Sequence, residues 1–421
     1  MIRLLLLAFL SMLVLKGVVF AESEPVFSDT GPDAEAYGAS RGYPVPPFEY
    51  PPGHGQDFMI GAYSHFDKLH PTRTIQKPAT PSVLRRVADE IVPVYHYDGR
   101  QKAIGDYLDA HPVTGLLIAR GDTILFEHYR YARSDQDRLL SNSMAKTITG
   151  LLVGIAISEG AIRSIDDMAA TYVPELEGTA YGATPLRALL HMSSGVAFRE
   201  TYQPDDDVTK LHMALLGQKL LGINPIGAIA ALRQLNTRDA PPNTRFAYAS
   251  SETEVLGLVV SRAARMPLSD YLATRIWQKL GAESDAAWAI DSTGQELAYC
   301  CFIATLRDWA RLGLMLANDG AWNDQQIVPR KWLIDATTVP PQSFLRNTIA
   351  QSWGYGYQVW ILPGERRMFL LLGISGQDLF VDPESKLIMV HTAVRKWPVG
   401  DPKSPEVVAL WYAVVAQYGH R

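Results

Sequence analysis

The chain is 421 residues long, with 47% hydrophobic residues, 20% charged residues and a formal net charge of −5. This length and composition are those of a globular protein that buries one large core or two modest ones. The negative balance and the lack of a basic block exclude an electrostatic footprint for nucleic acid, so we expect no nucleic-acid partner. The sequence leaves the oligomeric state open.

The N-terminal residues have the three parts of a secretory signal peptide. Arg3 supplies the positive charge, Leu4 to Leu15 form the apolar region, and Val19-Phe20-Ala21 resembles a small-x-small cleavage site. An uncleaved membrane anchor is the alternative, but Lys16 leaves the apolar run short for a bilayer. The sequence therefore predicts a signal peptide over residues 1–21, no stable membrane anchor, and a periplasmic or secreted mature protein.

Residues 22–58 are rich in Pro, Gly, Tyr and acidic residues, which predicts an extended N-terminal arm. The arm contains Gly38-Ala39-Ser40-Arg41-Gly42, a match to the Gly-x-Ser-x-Gly nucleophile elbow. That elbow requires a strand before the serine and a helix after it. The flanking sequence, which includes a proline cluster, predicts neither, so we do not expect Ser40 to be catalytic.

The remaining residues, 59–421, begin with mixed patterns and end in strands. A short helical piece is predicted at Val83–Ile91, and the pattern of Ile104 to Ala110 is that of a helix end. Two strands, Val113–Ala119 and Thr123–Tyr131, are predicted to form a hairpin. Residues 160 to about 330 are predicted to be mainly helical. Their predicted helices include Ile165–Tyr172, Lys210–Leu221, Thr253–Met266, Leu268–Leu280 and Thr305–Ala317.

The C-terminal part becomes β-rich again. Its predicted strands are Tyr355–Ile361, Arg367–Leu372, Gln377–Val381 and Leu387–Val394, followed by a closing helix at Val407–Tyr418. Strands at both ends around a helical middle imply a mixed α/β (α+β) fold, in which an antiparallel sheet flanked by helices carries an α-helical insertion. We place the sheet subdomain at about 59–160 and 330–421, and the helical subdomain at about 161–329.

The two cysteines, Cys300 and Cys301, are adjacent in sequence. Neighbouring side chains diverge in regular structure, and a disulfide between them is sterically awkward. Two buried thiols are therefore the expected state, and a disulfide framework is excluded.

One short motif has the spacing of a nucleophile and its base. Ser143 and Lys146 lie three residues apart at the start of an apolar run that predicts a buried helix, so they share one helix face. A desolvated lysine can accept the proton of a nearby serine hydroxyl. Free N–H groups at a helix start also favour a developing anion. The motif is weak alone but occurs once in this chain.

Two further motifs supply partners for such a serine. Tyr248-Ala249-Ser250 precedes a predicted helix, and a phenol near a lysine ammonium can lose its proton and act as a general base. Gly373-Ile374-Ser375-Gly376-Gln377 joins two predicted strands, where glycine allows the backbone to approach a substrate closely. A loop-capping tyrosine and a plain strand connection are the structural alternatives.

Taken in this order, the three motifs resemble those of the serine β-lactamase and penicillin-binding-protein superfamily. Two other stretches are similar to family sequences: LLHMSSG at 189–195 and ATLRDWARLG at 304–313. The resemblance covers roughly residues 100–420. The tyrosine-based second motif resembles the class C β-lactamase and esterase branch, and within it the 6-aminohexanoate-dimer hydrolases, which cleave an amide and also short esters.

The resemblance implies a serine hydrolase that acts through an acyl-enzyme. Ser143 would be the nucleophile, and Lys146 would accept or shuttle its proton. Tyr248 would pass a proton to the leaving group and later activate water. The backbone N–H groups of Ser143 and Gln377 would form the oxyanion hole.

The same resemblance assigns supporting residues. Ser250 would support the proton network, Ser375 and Gly376 would lie along the substrate, and Tyr202 would line the pocket from the helical subdomain. It implies no metal and no cofactor. His191, within the helix-ending stretch, is expected to have a structural hydrogen-bonding role.

The third motif departs from the family pattern. Lactamases and peptidases have Lys-Thr-Gly or His-x-Gly there, and the cation helps to hold a substrate carboxylate. Here the triplet is Ile374-Ser375-Gly376, so we expect a small ester or amide with an uncharged acyl part. A 6-aminohexanoate dimer also needs an acidic partner for its amine, which Asp205–Asp207 could supply. The alternatives are a β-lactamase or D-Ala-D-Ala carboxypeptidase, and a non-catalytic binding protein of the same fold.

Overall fold

The computed structural model describes residues 27–47, 55–339, 341–346, 348, 353–402 and 404–420. The predicted signal peptide, residues 1–21, lies outside the described residues. Within the described part of the chain, no helix combines the length and hydropathy that a membrane crossing requires.

The strands supply two main sheets and two short hairpins. In chain order they are β1 (Thr72–Ile75), β2 (Arg85–Arg86), β3 (Val94–Tyr97), β4 (Arg100–Ala103), β5 (Val113–Arg120), β6 (Thr123–Tyr129), β7 (Arg138–Leu140), β8 (Ala286–Ala289), β9 (Phe302–Thr305), β10 (Ala321–Trp322), β11 (Gln325–Gln326), β12 (Gly354–Tyr355), β13 (Trp360–Ile361), β14 (Phe369–Gly373), β15 (Gln377–Asp382) and β16 (Leu387–Ala393).

The helices cover both faces of the larger sheet and build the region between its two halves. In chain order they are α1 (Met59–Ser64), α2 (Ile104–Ala110), α3 (Ala145–Ser158), α4 (Leu186–Leu190), α5 (Asp207–Leu216), α6 (Ala228–Gln234), α7 (Ser250–Ala264), α8 (Leu268–Leu272), α9 (Gln278–Leu280), α10 (Leu306–Ala317), α11 (Arg330–Ala336) and α12 (Pro405–Tyr418).

The larger sheet joins the two ends of the chain. Its strand order is β12-β13-β14-β15-β16-β5-β6-β2, and the neighbouring strands are antiparallel except for β2 and β6. The N-terminal hairpin of β5 and β6 therefore pairs directly with β16 near the C-terminus. The predicted mixed α/β fold, with an antiparallel sheet completed by both ends of the chain, is confirmed.

Side-chain alternation along the central strand β5 fills two separate cores. Leu116 and Ile118 belong to the core that contains the α2 and α12 side chains. Leu117 and Ala119 point to the opposite face and belong to the core that contains α3 and α10. Because both faces of this strand are covered, its residues from 113 to 119 are all buried, which explains the nearly continuous apolar run.

Two predicted helices are wrong, and the region predicted to be mainly helical also contains strands. In the segment predicted as a helix at Val83–Ile91, Arg85 and Arg86 instead form β2, because the outer edge of β6 offers unpaired backbone groups. Only Ala169–Thr171 of the predicted helix at Ile165–Tyr172 is helical, as a 3₁₀ turn. Strands β8 and β9 lie within the predicted helical region and form a second sheet in the order β1-β8-β9-β7.

Stability is expected to depend strongly on Trp411 of α12, which is fully buried and stacks on Phe380 at a ring separation of 5.6 Å. Trp411→Ala should lower the free energy of unfolding by about 3–5 kcal/mol, because it leaves a cavity against the sheet. The matched control is Trp397→Ala, since Trp397 is 57% exposed and its loss should cost less than about 0.5 kcal/mol. Urea denaturation followed by circular dichroism measures both, and equal effects would contradict the packing described.

Candidate active site

The nucleophile turn follows strand β7 and leads into helix α3. Asn142–Met144 form a 3₁₀ turn, and Ala145 begins the α-helix. Asn142 has a left-handed φ of 44°, a conformation that asparagine adopts more readily than most residues. Its side-chain amide donates to the carbonyl oxygen of Ile374 at 3.0 Å. The serine turn is thereby tied to the turn between β14 and β15.

Lys146 lies one helical turn beyond Ser143 and is almost completely buried. Its ammonium nitrogen donates to Ser143 Oγ at 2.8 Å and to the carbonyl oxygen of Tyr299 at 3.2 Å. Burial lowers the pKa of Lys146 to about 8, against the opposing influence of Glu200 and Glu254. At this pKa, about a tenth of the side chain is neutral amine at pH 7. Lys146 can therefore accept the serine proton.

Tyr248 approaches the same serine. Its side chain lies beside Ser143 and stacks on Trp360 at a ring separation of 5.4 Å. Removal from water raises the pKa of Tyr248, and the negative charge of Glu200 raises it further. Lys146 Nζ lies over the ring face of Tyr248, 4.9 Å from the centroid. The general-base role of Tyr248 stays a prediction.

Glu200 organises the third side of the site, and the sequence analysis did not identify it. One carboxylate oxygen accepts the backbone N–H of Ser250 at 2.6 Å, and the other accepts the hydroxyls of Ser250 and Tyr202 at 2.8 Å each. Tyr202 also lies beside Ser143 in the pocket wall. Ser250 begins helix α7, so Glu200 meets the need for an acceptor at a helix start. That need is the only sequence signal for such a residue, and it does not say which carboxylate fulfils it.

The turn between β14 and β15 presents a single side chain to the site. Ile374 lies in the pocket wall, whereas Ser375 and Gln377 are buried behind it. The N–H of Ser375 donates to Pro398 O at 3.1 Å, and the side-chain amide of Gln377 donates to Ala393 O at 2.5 Å. These contacts fix the turn. The oxyanion role of the Gln377 N–H and the substrate roles of Ser375 and Gly376 stay predictions.

Ser143 opens into an apolar pocket. In the part of the chain that the structure describes, its wall contains no Asp, Glu, Lys or Arg side chain. The lining residues are Pro46, Gly55, Phe58, Met59, Ala62, Tyr63, Phe66, Leu69, Leu140, Asn142, Ser143, Tyr202, Val208, Thr209, His212, Met213, Gly217, Gln218, Ser250, Tyr299, Cys300, Cys301 and Ile374.

The acidic run near Tyr202 does not reach this pocket. Asp206 is the N-cap of helix α5 and accepts the backbone N–H of Thr209. Asp205 forms an exposed ion pair with Arg199. None of the residues 205–207 lines the pocket. The idea that this run supplies an acidic partner for a substrate amine is wrong, because its carboxylates cap a helix and pair with surface cations.

The N-terminal arm forms part of the pocket wall. Its residues Pro46, Gly55 and Phe58 line the pocket, followed by residues of helix α1. The arm is anchored by Tyr37, whose hydroxyl donates to Val394 O at 2.8 Å, and by the carbonyl of Pro32, which accepts the hydroxyl of Tyr131 at 2.7 Å. A segment outside the motif region therefore helps to shape the substrate space.

Cys300, Cys301 and His191 are all buried. The structure joins Cys300 and Cys301 in a disulfide, so the expectation of two thiols is wrong. They lie just before β9, outside regular structure, and Cys301 has a left-handed φ of 65°, so the side chains need not diverge.

His191 is buried and hydrogen-bonded to Gly356 O at 3.2 Å, and burial lowers its pKa to about 4. It has the expected structural role.

In this site a serine is hydrogen-bonded to a buried lysine at a helix start, and a tyrosine lies beside that serine. The large sheet is completed by both ends of the chain. These features are those of a serine hydrolase with the β-lactamase and penicillin-binding-protein fold. The chain belongs to the β-lactamase family, whose model matches residues 101–408.

The chain is similar to several individual members of this fold. The chain is 28% identical over 349 residues to the 6-aminohexanoate-dimer hydrolase of Paenarthrobacter ureafaciens. The alignment covers 81% of this chain and 86% of that relative. A solved Bacillus anthracis protein, named as a candidate 6-aminohexanoate-dimer hydrolase, superposes with a TM-score of 0.76 at 24% identity, covering 86% and 94% of the two chains. The hydrolase EstCE1, described as having promiscuous acyltransferase activity, gives 0.57 at 17% identity, covering 73% and 95%.

The reactivity of Ser143 should follow the protonation of Lys146. Labelling by a fluorophosphonate is expected to slow about tenfold for each pH unit below the Lys146 pKa, which is about 8, because only the neutral amine accepts the serine proton. Of the two carboxylates that raise the pKa of Lys146 against burial, Glu200 has the larger effect. Glu200→Gln should therefore move the midpoint to lower pH.

The labelling rate, measured by intact mass from pH 5.5 to 9.5, tests this expectation. Glu175→Gln is the matched control, because Glu175 is an exposed carboxylate paired with Arg262 and should leave the midpoint unchanged. A flat profile in the wild type, or equal midpoints for all three proteins, would contradict the assignment of Lys146 as the base.

Proposed function

We propose that this protein hydrolyses small, uncharged esters or amides through an acyl-enzyme on Ser143. The observation that carries the proposal is the contact of Ser143 Oγ with Lys146 Nζ at 2.8 Å, in a site that opens into a pocket wall without ionised side chains among the described residues. The family supplies the reaction class, and the pocket supplies the substrate class.

Acylation begins when neutral Lys146 takes the hydroxyl proton of Ser143 and the oxygen attacks the substrate carbonyl carbon. The negative charge that develops on the carbonyl oxygen is held by the Ser143 N–H and a second N–H of the turn that contains Gln377. Tyr248 lies beside the serine that Lys146 contacts. It gives its phenolic proton to the departing alcohol or amine and is reprotonated from the lysine ammonium.

Deacylation runs through the same groups in reverse. A water molecule loses a proton to the Lys146–Tyr248 pair as it attacks the acyl carbon, and the pair returns a proton to Ser143 when the acid leaves. Glu200 keeps Tyr202 and the start of helix α7 in place during both steps through its hydrogen bonds. It also raises the pKa of Lys146 against the effect of burial.

The side chains of the pocket wall favour an apolar substrate over a charged one. A β-lactam or a peptide ending in D-Ala presents a carboxylate, and Ile374 in the wall offers no cation to bind it. A 6-aminohexanoate dimer presents an ammonium, and the wall offers no acidic partner among the described residues. Intact Ser143, Lys146 and Tyr248 in mutual contact also argue against a purely binding function.

A panel of chromogenic substrates tests the substrate class. p-Nitrophenyl butyrate should exceed p-nitrophenyl acetate by about tenfold in kcat/KM, since two extra methylenes are worth about 0.8 kcal/mol each on burial. A p-nitrophenyl ester with a terminal carboxylate, a linear amide dimer with a free amine, and a cephalosporin should all be poor substrates. Faster turnover of the cephalosporin than of the butyrate would transfer the protein to the lactamase alternative.

The nucleophile is tested by a pair of serine variants. Ser143→Ala should reduce kcat/KM for p-nitrophenyl butyrate by at least about 10⁴-fold, because no acyl-enzyme can form. Ser40→Ala is the matched control, since Ser40 occupies the Gly-x-Ser-x-Gly sequence on the exposed surface of the arm and should keep full activity. Loss of activity in the Ser40 variant alone would reverse the assignment.

A further inference from the structure

The wall of the catalytic pocket contains three side chains that the hydrolysis does not use. One potential metal-ligand atom from each of His212, Cys300 and Cys301 lies within 4.8 Å of the other two. All three residues line the pocket that contains Ser143. Nitrogen and thiolate ligands are those that thiophilic cations such as Zn²⁺ and Cd²⁺ prefer.

We propose that reduction of the Cys300–Cys301 disulfide opens a binding site for a thiophilic divalent cation, held by both sulfurs and the imidazole of His212, and that the bound cation blocks the catalytic pocket. In the oxidised form the sulfurs are bonded to each other and provide no thiolates. Reduction frees two thiols, each of which loses a proton when it binds the cation.

The ligand distances suit such an ion after a small adjustment. Tetrahedral zinc, with bonds of about 2.3 Å to sulfur and 2.0–2.1 Å to nitrogen, holds its ligand atoms about 3.6–3.8 Å apart. Breaking the disulfide lets the sulfurs separate to this distance, and the imidazole at most 4.8 Å from them needs to approach by about 1 Å. Three protein ligands leave the fourth position of a tetrahedral ion open.

The imidazole already has a contact of the kind that orients metal-binding histidines. His212 Nδ1 is hydrogen-bonded to the hydroxyl of Tyr299 at 3.1 Å. When Nε2 binds a metal, a hydrogen bond of this kind at the other ring nitrogen fixes the tautomer and the ring orientation. Tyr299 also joins this site to the catalytic residues, because its carbonyl oxygen accepts from Lys146 Nζ at 3.2 Å.

A cation at this position would prevent hydrolysis in two ways. It would fill pocket space beside Ser143, since its ligands belong to the same wall. It would also add positive charge next to Lys146, which opposes formation of the ammonium when Lys146 accepts the serine proton. The inhibition rests on the proposed hydrolase function, whereas cation binding does not.

The test uses Cd²⁺ as the probe on the whole protein, before and after treatment with a phosphine. The phosphine is oxidised to its phosphine oxide, the S–S bond breaks, and water provides the oxygen and the two thiol protons. A thiol reagent should then count two thiols where the untreated protein has none. Cadmium titration of the reduced protein should produce an ultraviolet sulfur-to-cadmium charge-transfer band that saturates at one equivalent.

Variants separate the three ligands. Cys301→Ser should lose the saturable band, and the untreated wild type serves as a control of unchanged sequence. His212→Ala should weaken cadmium binding by more than about tenfold. In metalloproteins, removing only the hydrogen-bonding partner of a ligand already lowers metal affinity by about that factor. His96→Ala is the matched control, because His96 is an exposed residue of the β3–β4 hairpin, and binding should be unchanged.

Turnover of p-nitrophenyl butyrate is measured in parallel. The reduced protein should lose most of its activity with one equivalent of Cd²⁺ and regain it with a chelator, whereas the oxidised protein should keep its activity. The proposal is overturned by reduced protein that gives no stoichiometric band, by equal affinity in the His212 variant, or by full turnover with cadmium bound. An inactive protein that still shows the band would contradict the proposed hydrolase function and leave the cation site standing.

Discussion

The free energy of removing the Lys146 ammonium from water is the constraint on which the site depends. Burial lowers the pKa of this group to about 8, so that part of it is neutral near pH 7 and able to accept a proton. The burial requires packing on all sides, which α3, α7 and the segment before β9 provide. Glu200 then limits how far the pKa falls, so its charge is part of the same balance. Catalytic reactivity here is a consequence of how the core is packed.

The same exclusion of water governs the substrate pocket. The arm and helix α1 cover one side of it with apolar side chains, and helix α5 covers another. Among the described residues the wall has no Asp, Glu, Lys or Arg side chain, while Lys146 donates a hydrogen bond to Ser143 Oγ. Under the proposed function, the family's reaction would therefore act on substrates held by apolar contacts.

What could be predicted from sequence was mostly local. Ser143 and Lys146 are three residues apart, across a 3₁₀ turn and the start of α3, so their contact follows from local helical geometry. Strands β5, β6 and β14 to β16 were found because their buried faces give strong apolar patterns. The single predicted strand Tyr355–Ile361 is wrong, because its two ends form the short antiparallel strands β12 and β13. Glu200 was missed because its contacts with Ser250 and the catalytic residues arise only in the folded chain. The disulfide was missed because it depends on a left-handed residue, Cys301, whose conformation no local pattern specified.

The hydrogen bond between the side chain of Asn142 and Ile374 O has a consequence for the order in which the enzyme becomes active. It connects residues 232 positions apart, and β5 likewise pairs with β16 near the other end of the chain. Ser143 is therefore synthesised long before the turn between β14 and β15, which contacts the serine turn. During synthesis the serine, its lysine and its tyrosine are all present while the surrounding sheet lacks its centre. The candidate site is therefore incomplete until the last strands of the large sheet are made.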